Sequence, residues 1–316
     1  MITIYHRQRE KLIPESDLRQ LPQIDLTNVL WVDLFRLDDA EKRYIIGKFG
    51  INLYEKQEQE EIESSSRYFE TSKMIVANSN FLIQQNEGYT SEPATFILKN
   101  NYLVTHRTAE FRSFTEVKKK MSALPKNFPS GYHVLLSIFE NRIDLDADIL
   151  EMIAKEISSV GKQLGTISKT KGDLLIRITH FQELTMMLRQ NLLDKQRMIS
   201  AMLRSDHFPR DSHERLRMMI KDVNSLMDHT SFSFDRLEYL QDTFLGLINI
   251  EQNKIIKIFT VASVIFLPPT VIASLYGMNF HHMPEYSWRF GYPFALALMV
   301  LSSLITLWFF RRNRWL

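Results

Sequence analysis

Two apolar segments near the C-terminus constrain this chain more than any other feature. Residues 258–276 and 290–310 contain no charged residue. As helices that rise about 1.5 Å per residue, each is long enough to cross a hydrocarbon core of roughly 30 Å. The connector, residues 277–289, is too short to form a domain. The sequence therefore predicts two membrane-spanning helices joined by a tight loop at the membrane surface.

Charge is distributed unevenly along the 316 residues. The chain is 24% charged, but nearly all of that charge precedes Lys257. The roughly 250 residues before the first span suffice for a substantial core, in one large or two smaller units. The net charge is +2 and no basic run is interleaved with aromatic residues, so nucleic acid is excluded as a partner. There are no cysteines, which excludes disulfides and thiolate metal sites.

Flanking charge predicts the orientation of the chain. Residues 1–7 lack the apolar core of a cleavable signal peptide. The loop between the spans has one basic residue, Arg289. Two basic residues, Lys254 and Lys257, precede the first span, and three follow the second: Arg311, Arg312 and Arg314. The positive-inside rule then places both termini in the cytoplasm and the loop outside. We expect the chain in the inner (plasma) membrane.

Residues 1–125 have the pattern of a mixed α/β domain. Buried strands are predicted at residues 29–34, 74–82, 94–98 and 102–105. Asn100 and Asn101 separate the last two, and asparagine tolerates the left-handed backbone of a tight hairpin turn. Helices are predicted at residues 38–49 and 115–124. Strands and helices do not alternate regularly, so the pattern does not set the strand order.

Long helices are predicted from Tyr132 onward, because apolar residues recur at intervals of three and four. A second long helix is predicted at residues 174–203, and residues 205–212 form a break. The last helix begins near Asp211 and has no stop signal before Pro268. Continued to Tyr276 it would measure roughly 100 Å. We therefore expect it to enter the membrane unbroken and to link cytoplasmic movement to the bilayer.

The loop and its surroundings resemble the CorA family of magnesium channels. The tripeptide Gly277-Met278-Asn279 lies between the two predicted spans, with Tyr276 before it and Phe280 after it. Further similarity to the family covers residues 246–259, 266–270, 283–285 and 288–293, and residues 61–70 resemble its proteobacterial branch. The family's zinc-transporting relatives tend to depart from Gly-Met-Asn, so the motif favours magnesium.

The resemblance implies a fold class and an assembly. We expect an α+β cytoplasmic domain with long helices, then a two-helix transmembrane hairpin, in a funnel-shaped homopentamer within the lipid bilayer. The expected boundaries are an α/β domain at 1–125, long cytoplasmic helices at 126–254, the first span at 255–276, the external loop at 277–289, the second span at 290–310 and a basic cytoplasmic tail at 311–316. Two membrane helices cannot enclose a pore, so an oligomer is required in any case.

Polar residues on the first span predict which helix lines the pore. They repeat at alternating intervals of three and four, which forms one seam of a helix bundle. This seam consists of Asn253, Ile256, Thr260, Ser263, Leu267, Thr270 and Ser274. The second span has few polar residues, Ser302, Ser303 and Thr306, and is predicted to face lipid. The alternative is that the seam's hydroxyls bond back to the helix and merely allow close packing.

Magnesium chemistry suggests roles for the tripeptide. Mg²⁺ dehydrates reluctantly and keeps several waters. A ring of Asn279 side-chain carbonyls, one from each subunit, is therefore predicted to accept hydrogen bonds from the hydrated ion. Gly277 is expected to let the chain turn sharply out of the helix. Met278 is expected to pack and hold that turn rather than touch the ion.

The loop departs from the family pattern after the tripeptide. Family members often carry acidic residues there, where this chain has His281 and His282, and Glu285 is the only acid in the loop. The loop should therefore concentrate cations less strongly. The two histidines could attract softer ions such as nickel or cobalt. The alternative is that they are solvated loop residues.

Gating and regulation are predicted from the same long helix. Leu267, Ile256 and Phe259 are candidates for hydrophobic constrictions that close by dewetting. The prolines at 268 and 269 remove backbone hydrogen bonds that neighbours or water must replace, so a kink is predicted. The family senses cytoplasmic Mg²⁺ through acidic residues between subunits. Candidates for this regulatory Mg²⁺ are Asp222, Asp228, Asp235, Glu238 and Asp242, with Asp144, Asp146 and Asp148 earlier in the chain.

No phosphate-binding loop or hydrolase motif occurs, so no enzymatic activity is expected and the membrane potential is the predicted driving force. The leading hypothesis is a passive Mg²⁺ uptake channel gated by cytoplasmic Mg²⁺, with cobalt and nickel as further ions and no organic cofactor. Two alternatives stay open. One is a zinc or nickel transporter of the same architecture, and the other is a membrane-anchored coiled-coil scaffold, which needs neither the polar seam nor Asn279.

Overall fold

The computed structural model of the chain describes residues 1–9, 11–17, 19–51, 67–85, 88–164, 171–279 and 283–313. Phe280, His281, His282, Arg314 and the 61–66 part of the family-like run lie outside these ranges. Contacts between residues divide the chain into two compact units, Met1–Gln241 and Asp242–Leu316.

The first unit contains a mixed sheet. Its described strands are β1 Ile2–Gln8, β2 Lys11–Glu15, β3 Val29–Phe35, β4 Tyr68–Glu70, β5 Met74–Gln85, β6 Gly88–Lys99 and β7 Tyr102–Arg107. They are ordered β2-β1-β3-β7-β6-β5-β4 across the sheet. The central pair, β3 and β7, is parallel, and the other neighbouring strands are antiparallel.

The four strands predicted from apolar runs are confirmed as β3, β5, β6 and β7. The predicted hairpin joins β6 to β7, where Lys99 pairs with Tyr102 and Asn100 has a left-handed φ of 52°. Strands β1, β2 and β4 were not predicted. β2 and β4 form the two edges of the sheet, and neither strand contains a fully buried residue. Edge strands bury few side chains, so their sequences carry little apolar signal.

Two short helices accompany the sheet. Helix α1, Asp39–Phe49, begins where predicted, because the Asp38 carboxylate accepts the Glu41 backbone N–H (2.7 Å) and Glu41 accepts the Asp38 N–H (3.1 Å). Helix α2, Arg112–Ala123, begins earlier than predicted. Its N-cap residue, Phe111, makes no side-chain capping bond, so no sequence signal marks this start.

The long helices follow the predicted order. They are α3 Gly131–Leu164, α4 Lys171–Arg204, α5 His213–Tyr276 and α6 Gly291–Arg312. The break predicted at residues 205–212 separates α4 from α5. Helix α5 has 64 residues and contains Pro268 and Pro269 in its interior.

The core of the first unit is organised around Phe81 on β5. Its ring lies 5.1–6.4 Å, centroid to centroid, from the rings of Phe96, Phe111, Phe114 and Phe139. These residues come from β6, from the start of α2 and from α3. Aromatic packing of this kind therefore joins the sheet to the helices that cover it.

A buried carboxylate lies beside this aromatic core. Asp33 on β3 accepts two hydrogen bonds from the Arg107 guanidinium (3.0 and 2.9 Å) and one from the Lys118 ammonium (2.7 Å). Burial raises the pKa of the Asp33 carboxyl, but the hydrogen bonds and charges of Arg107 and Lys118 outweigh burial and hold it below its usual value. The network ties together β3, β7 and α2.

A second buried network connects α3, α4 and β5. Lys195 is fully buried, with its Nζ 3.2 Å from Oδ2 of Asp146, and Arg142 binds the other oxygen of that carboxylate. Arg142 also donates to the Leu82 carbonyl (2.7 Å). Burial lowers the pKa of the Lys195 ammonium to about 8. Asp146 is therefore engaged inside the fold, and its proposed role as a regulatory metal ligand is wrong.

Candidate ion-conducting site

The second unit exposes most of its apolar surface. The C-terminal part of α5 and the whole of α6 are long and apolar enough to cross a membrane. Phe259 on α5 is 69% exposed and Tyr292 on α6 is 77% exposed. Exposed apolar surface on this scale marks a region whose surroundings are not water.

A side chain of α6 donates a hydrogen bond to a backbone carbonyl of α5 that has no donor within its own helix. Pro269 has no N–H, so the Ile265 carbonyl four residues earlier lacks its helical donor. The Ser303 hydroxyl of α6 donates to this carbonyl, with 3.4 Å between the oxygen atoms. The sequence indicated that such bonds must be recovered, and here the donor is a neighbouring helix. Ser302, Ser303 and Thr306 are half-buried, whereas most of α6 is exposed, and the lipid-facing role of the second span stays a prediction.

The predicted polar seam lies on a different face of α5 from this contact. Its members are all exposed: Asn253, Ile256, Thr260, Ser263, Leu267, Thr270 and Ser274. The half-buried residues of the same stretch include Val264, Ile265, Pro268 and Ile272. At 3.6 residues per turn, the centres of the two sets lie roughly 150° apart around the helix. Within one chain, the seam is therefore uncovered and points away from the face that carries Ile265.

Thr270 agrees with the alternative in which the seam's hydroxyls bond back to their own helix. The Thr270 hydroxyl donates to the Phe266 carbonyl (2.7 Å), which satisfies it within its own helix. In the described part of the chain, the side chains of Thr260, Ser263 and Ser274 form no such bond. These three hydroxyls remain available to water or to another subunit.

The tripeptide lies immediately after α5. The Gly277 N–H donates to the Ala273 carbonyl (3.0 Å), and the Met278 N–H donates to the Leu275 carbonyl (3.3 Å). A Cβ added to Gly277 would lie 3.2 Å from the Ala273 oxygen, although the Gly277 backbone is not left-handed. The glycine therefore supplies space at the helix end, rather than the unusual backbone conformation that the expected sharp turn suggested.

The next two residues project from the helix end. Asn279 is exposed, and Met278 is 46% exposed. Met278 therefore does not hold the turn by packing within one chain, so such a role would need a neighbouring subunit. His281 and His282 lie outside the described residues, and the expectation about their effect on the loop stays a prediction.

The other end of the loop is fixed to α6. Residues Pro284–Ser287 form one turn of 3₁₀ helix. The Glu285 carbonyl packs so closely on Gly291 that a Cβ there would lie 2.2 Å from its oxygen. The Gly291 N–H donates to the Trp288 carbonyl (2.9 Å). The exposed Glu285 carboxylate, the only acid of the loop, is thus carried by a turn that is seated on the first residues of α6.

The predicted regulatory carboxylates do not form one cluster within a chain. Asp222, Asp228 and Asp235 are all exposed along α5. Burial and the charge of nearby Asp222 are among the causes that raise the pKa of Asp144 on α3, with burial the largest. Asp222 on α5 therefore adds to the negative charge around Asp144 on α3. Among the described residues, no three acidic or histidine side chains are placed to hold a metal ion.

Comparison with known proteins gives the family. The family model described as "CorA-like Mg2+ transporter protein" matches residues 27–312. The magnesium transport protein CorA of Wolinella succinogenes is 41% identical, with all of both chains covered, and that of Campylobacter jejuni strain RM1221 is 37% identical, again over all of both chains. The solved structure of the CorA magnesium transporter from Methanocaldococcus jannaschii has the same fold, with a TM-score of 0.82 and 19% identity, over 100% of this chain and 99% of that one. The chain belongs to the CorA family of magnesium transport proteins.

Proposed function

We propose that this chain forms a passive Mg²⁺ uptake channel in the inner membrane, as a homopentamer with both termini in the cytoplasm. The observation that carries the proposal is the exposed polar seam of α5, which lies roughly 150° around the helix from the face that carries Ile265. In a ring of subunits, this arrangement puts the seam on the central axis and α6 towards the lipid. The pore then has water-compatible walls and an apolar outer surface.

The mouth of this pore is formed by Asn279. An amide oxygen is a neutral acceptor, which suits an ion that enters with its water shell. A ring of five such oxygens holds the ion by hydrogen bonds from its water, and dehydration is avoided.

The membrane potential supplies the driving force. A potential of 100 mV is worth about 2.3 kcal/mol per charge, and hence about twice that for Mg²⁺. No step requires a nucleotide or a second substrate. Closure occurs at the hydrophobic rings of the seam, of which Leu267 is the most central candidate, with Ile256 nearer the cytoplasm.

The test is ion flux into liposomes that contain only the purified full-length chain. With an inside-negative potential, we expect Mg²⁺ entry that follows the potential, slower or similar entry of Co²⁺ and Ni²⁺, and little entry of Zn²⁺. A Zn²⁺ flux above that of Mg²⁺ would identify the zinc-transporter alternative. No flux of any divalent ion in assembled protein would support the scaffold alternative and overturn the channel.

We also propose that cytoplasmic Mg²⁺ closes the channel by binding between subunits. The support is that Asp222 of α5 and Asp144 of α3 are both exposed, so both are accessible to a neighbouring subunit. Facing carboxylates of two subunits repel each other unless a cation bridges them.

Millimolar Mg²⁺ should therefore slow proteolysis of the first unit, and an Asp144→Asn/Asp222→Asn variant should lose this protection. An Asp228→Asn/Asp235→Asn variant shows whether the remaining predicted carboxylates contribute. Equal digestion with and without Mg²⁺ in all three proteins would contradict regulation by the first unit.

A further inference from the structure

A cavity lies beside the loop, between the end of α5 and the first turn of α6. Its volume is about 310 Å³. Its lining includes three aromatic residues, one acid and one base: Tyr276, Trp288, Tyr292, Glu285 and Arg289. All of these residues belong to the second unit, and none of them is in the polar seam.

The walls of this cavity are held in place before any ligand binds. The turn that carries Glu285 is fixed by close contact with Gly291 and by the bond from the Trp288 N–H to the Glu285 carbonyl (3.3 Å). The Trp288 ring packs against Phe294 on α6, with 5.6 Å between centroids. The cavity is therefore a formed site and not merely a gap between mobile side chains.

The two charged residues of the cavity are free to bind a ligand. Within the residues that the structure describes, the side chains of Glu285 and Arg289 form no ion pair or hydrogen bond. A guanidinium binds phosphate through two parallel hydrogen bonds. A carboxylate beside aromatic rings binds an ammonium group, by hydrogen bonds and by cation–π attraction. One ligand that carries a phosphate and an ammonium would satisfy both.

We propose that this cavity binds the headgroup of phosphatidylethanolamine, with Arg289 on the phosphodiester and Glu285 on the primary ammonium. The inference depends on the membrane insertion proposed above, because the cavity then lies at the level of the headgroups. The exposed apolar side chains that continue along α6 below Tyr292 provide a surface for the acyl chains. Phosphatidylcholine has no N–H to donate to Glu285, and phosphatidylglycerol has no cation, so both should bind less well.

The opposite end of α6 offers a matched control. There the guanidinium of Arg312 lies over the Trp308 ring, 5.1 Å from its centroid. This end repeats the arginine and the tryptophan, but helix α6 contains no acidic residue. Loss of Arg312 therefore removes one interfacial positive charge and leaves the proposed site intact.

The experiment measures lipid binding to the purified full-length chain in detergent by native mass spectrometry. Short-chain phosphatidylethanolamine, phosphatidylglycerol and phosphatidylcholine with the same acyl groups are titrated separately. We expect phosphatidylethanolamine to bind about tenfold more tightly than the other two, as one charge-assisted hydrogen-bonding group allows. Glu285→Gln should abolish that preference and leave phosphatidylglycerol binding unchanged. Arg289→Gln should weaken all three lipids, and Arg312→Gln should change none of them.

Three outcomes would overturn the proposal. They are equal affinities for the three lipids, a preference that survives Glu285→Gln, and displacement of the lipid by excess inorganic phosphate, which would indicate a site for free anions. Size-exclusion profiles of the variants confirm that the assembly is unchanged. Because binding is read without ion flux, a chain that binds the lipid but conducts no ion contradicts the channel alone.

Discussion

Large aromatic side chains form the core of the first unit, whereas most of those along the apolar segments of the second unit are exposed. Trp31, Phe81 and Phe139 are fully buried in the first unit, whereas Phe259, Phe266 and Tyr292 of the second are mostly exposed. Polar groups show the reverse arrangement. The first unit buries Asp33 and Lys195 within networks, and the second exposes Asn279 and the hydroxyls of its seam.

The contrast teaches that the two units are built for different surroundings from similar residues. In water, apolar burial stabilises the fold, and a charge can be buried only with its partners. In a bilayer, apolar side chains gain nothing by avoiding lipid, so packing and hydrogen bonds between helices hold the structure together. Substitutions in the first unit should therefore change stability, and substitutions at exposed polar sites of the second should change ion passage.

The largest expected effect is on the stability of the first unit. Asp33→Ala leaves the buried Arg107 charge and the half-buried Lys118 charge without their carboxylate, and should lower the free energy of unfolding by about 3–5 kcal/mol. Urea unfolding of the full-length chain measures this. Asp39→Ala is the control, since that carboxylate is 93% exposed and should contribute less than about 0.5 kcal/mol. If Asp33→Ala lowered the free energy of unfolding no more than Asp39→Ala, buried charge networks would not distinguish the first unit from the second.

The next effect is on ion passage without a change in stability. Asn279→Ala removes the predicted ring of amide oxygens and should lower Mg²⁺ flux into liposomes at least about 100-fold, as loss of a preorganised polar group does in other sites. The assembly should remain intact on size-exclusion chromatography. Asn313→Ala, an exposed asparagine after α6, is the matched control. Near-normal flux through assembled Asn279→Ala protein would remove Asn279 from the pore mouth.

The buried lysine provides a pH-dependent measure of the first unit. The pKa of Lys195 is lowered to about 8 in the fold, from 10.5. Between these values the unfolded chain binds more protons than the folded one, so stability rises with pH. The unfolding free energy of wild type, relative to Lys195→Met, should increase by about 3 kcal/mol across this window. The charged groups that face the ammonium are Asp146, Arg142 and Asp194.

Lys155→Met, which removes a 74% exposed lysine of α3, is the control for that experiment. Its stability relative to wild type should not change between about pH 8 and pH 10.5. If the difference in unfolding free energy between wild type and Lys195→Met also stayed constant over this pH range, the lowered pKa of Lys195 would be contradicted.

The smallest expected effect sharpens the comparison within the second unit. The chain has no cysteine, so single cysteines can be placed along α5 without background labelling. A thiol reacts as the thiolate, which forms only where water reaches. Cysteines at Thr260, Ser263, Leu267, Thr270 and Ser274 should react with a water-soluble reagent about tenfold faster than those at Ile258, Val261, Ile265 and Ile272. Uniform protection of all these cysteines from the reagent would favour the scaffold alternative. A reactive face on α6, with α5 unreactive, would mean that α6 and not α5 lines the pore.

The sequence predicted those parts of the fold that leave a local apolar pattern. β3, β5, β6, β7 and the long helices were found because their buried residues recur at the period of a strand or a helix. The exposed edge strands were missed because pairing, and not side-chain burial, keeps them in the sheet. The parallel pairing of β3 with β7 joins residues about 70 positions apart, for example Trp31 with Leu103, and no local pattern encodes it.

The candidate site divides in the same way. The seam and the tripeptide stand out in the sequence because polar residues and glycine are unusual in an apolar helix and at its end. The bond from Ser303 to Ile265 depends on how two helices pack, and the sequence marked Ser303 only as one of the few polar residues of the second span. The charge of Asp222 likewise acts on Asp144 only because of how α5 and α3 are arranged in the fold, which spacing along α5 does not encode. The regulatory role of Asp222, Asp228 and Asp235 stays a prediction.

Pro268 and Pro269 have a consequence for the mechanics of α5. They remove two backbone hydrogen bonds in every conformation of the chain, and Ser303 already replaces one of them from outside the helix. An ordinary helix must break such bonds to bend, whereas this one can bend at that level without breaking any. The covalent structure thus sets where the membrane segment bends most easily. That point is at Pro268 and Pro269, directly between Leu267 and Thr270 of the seam.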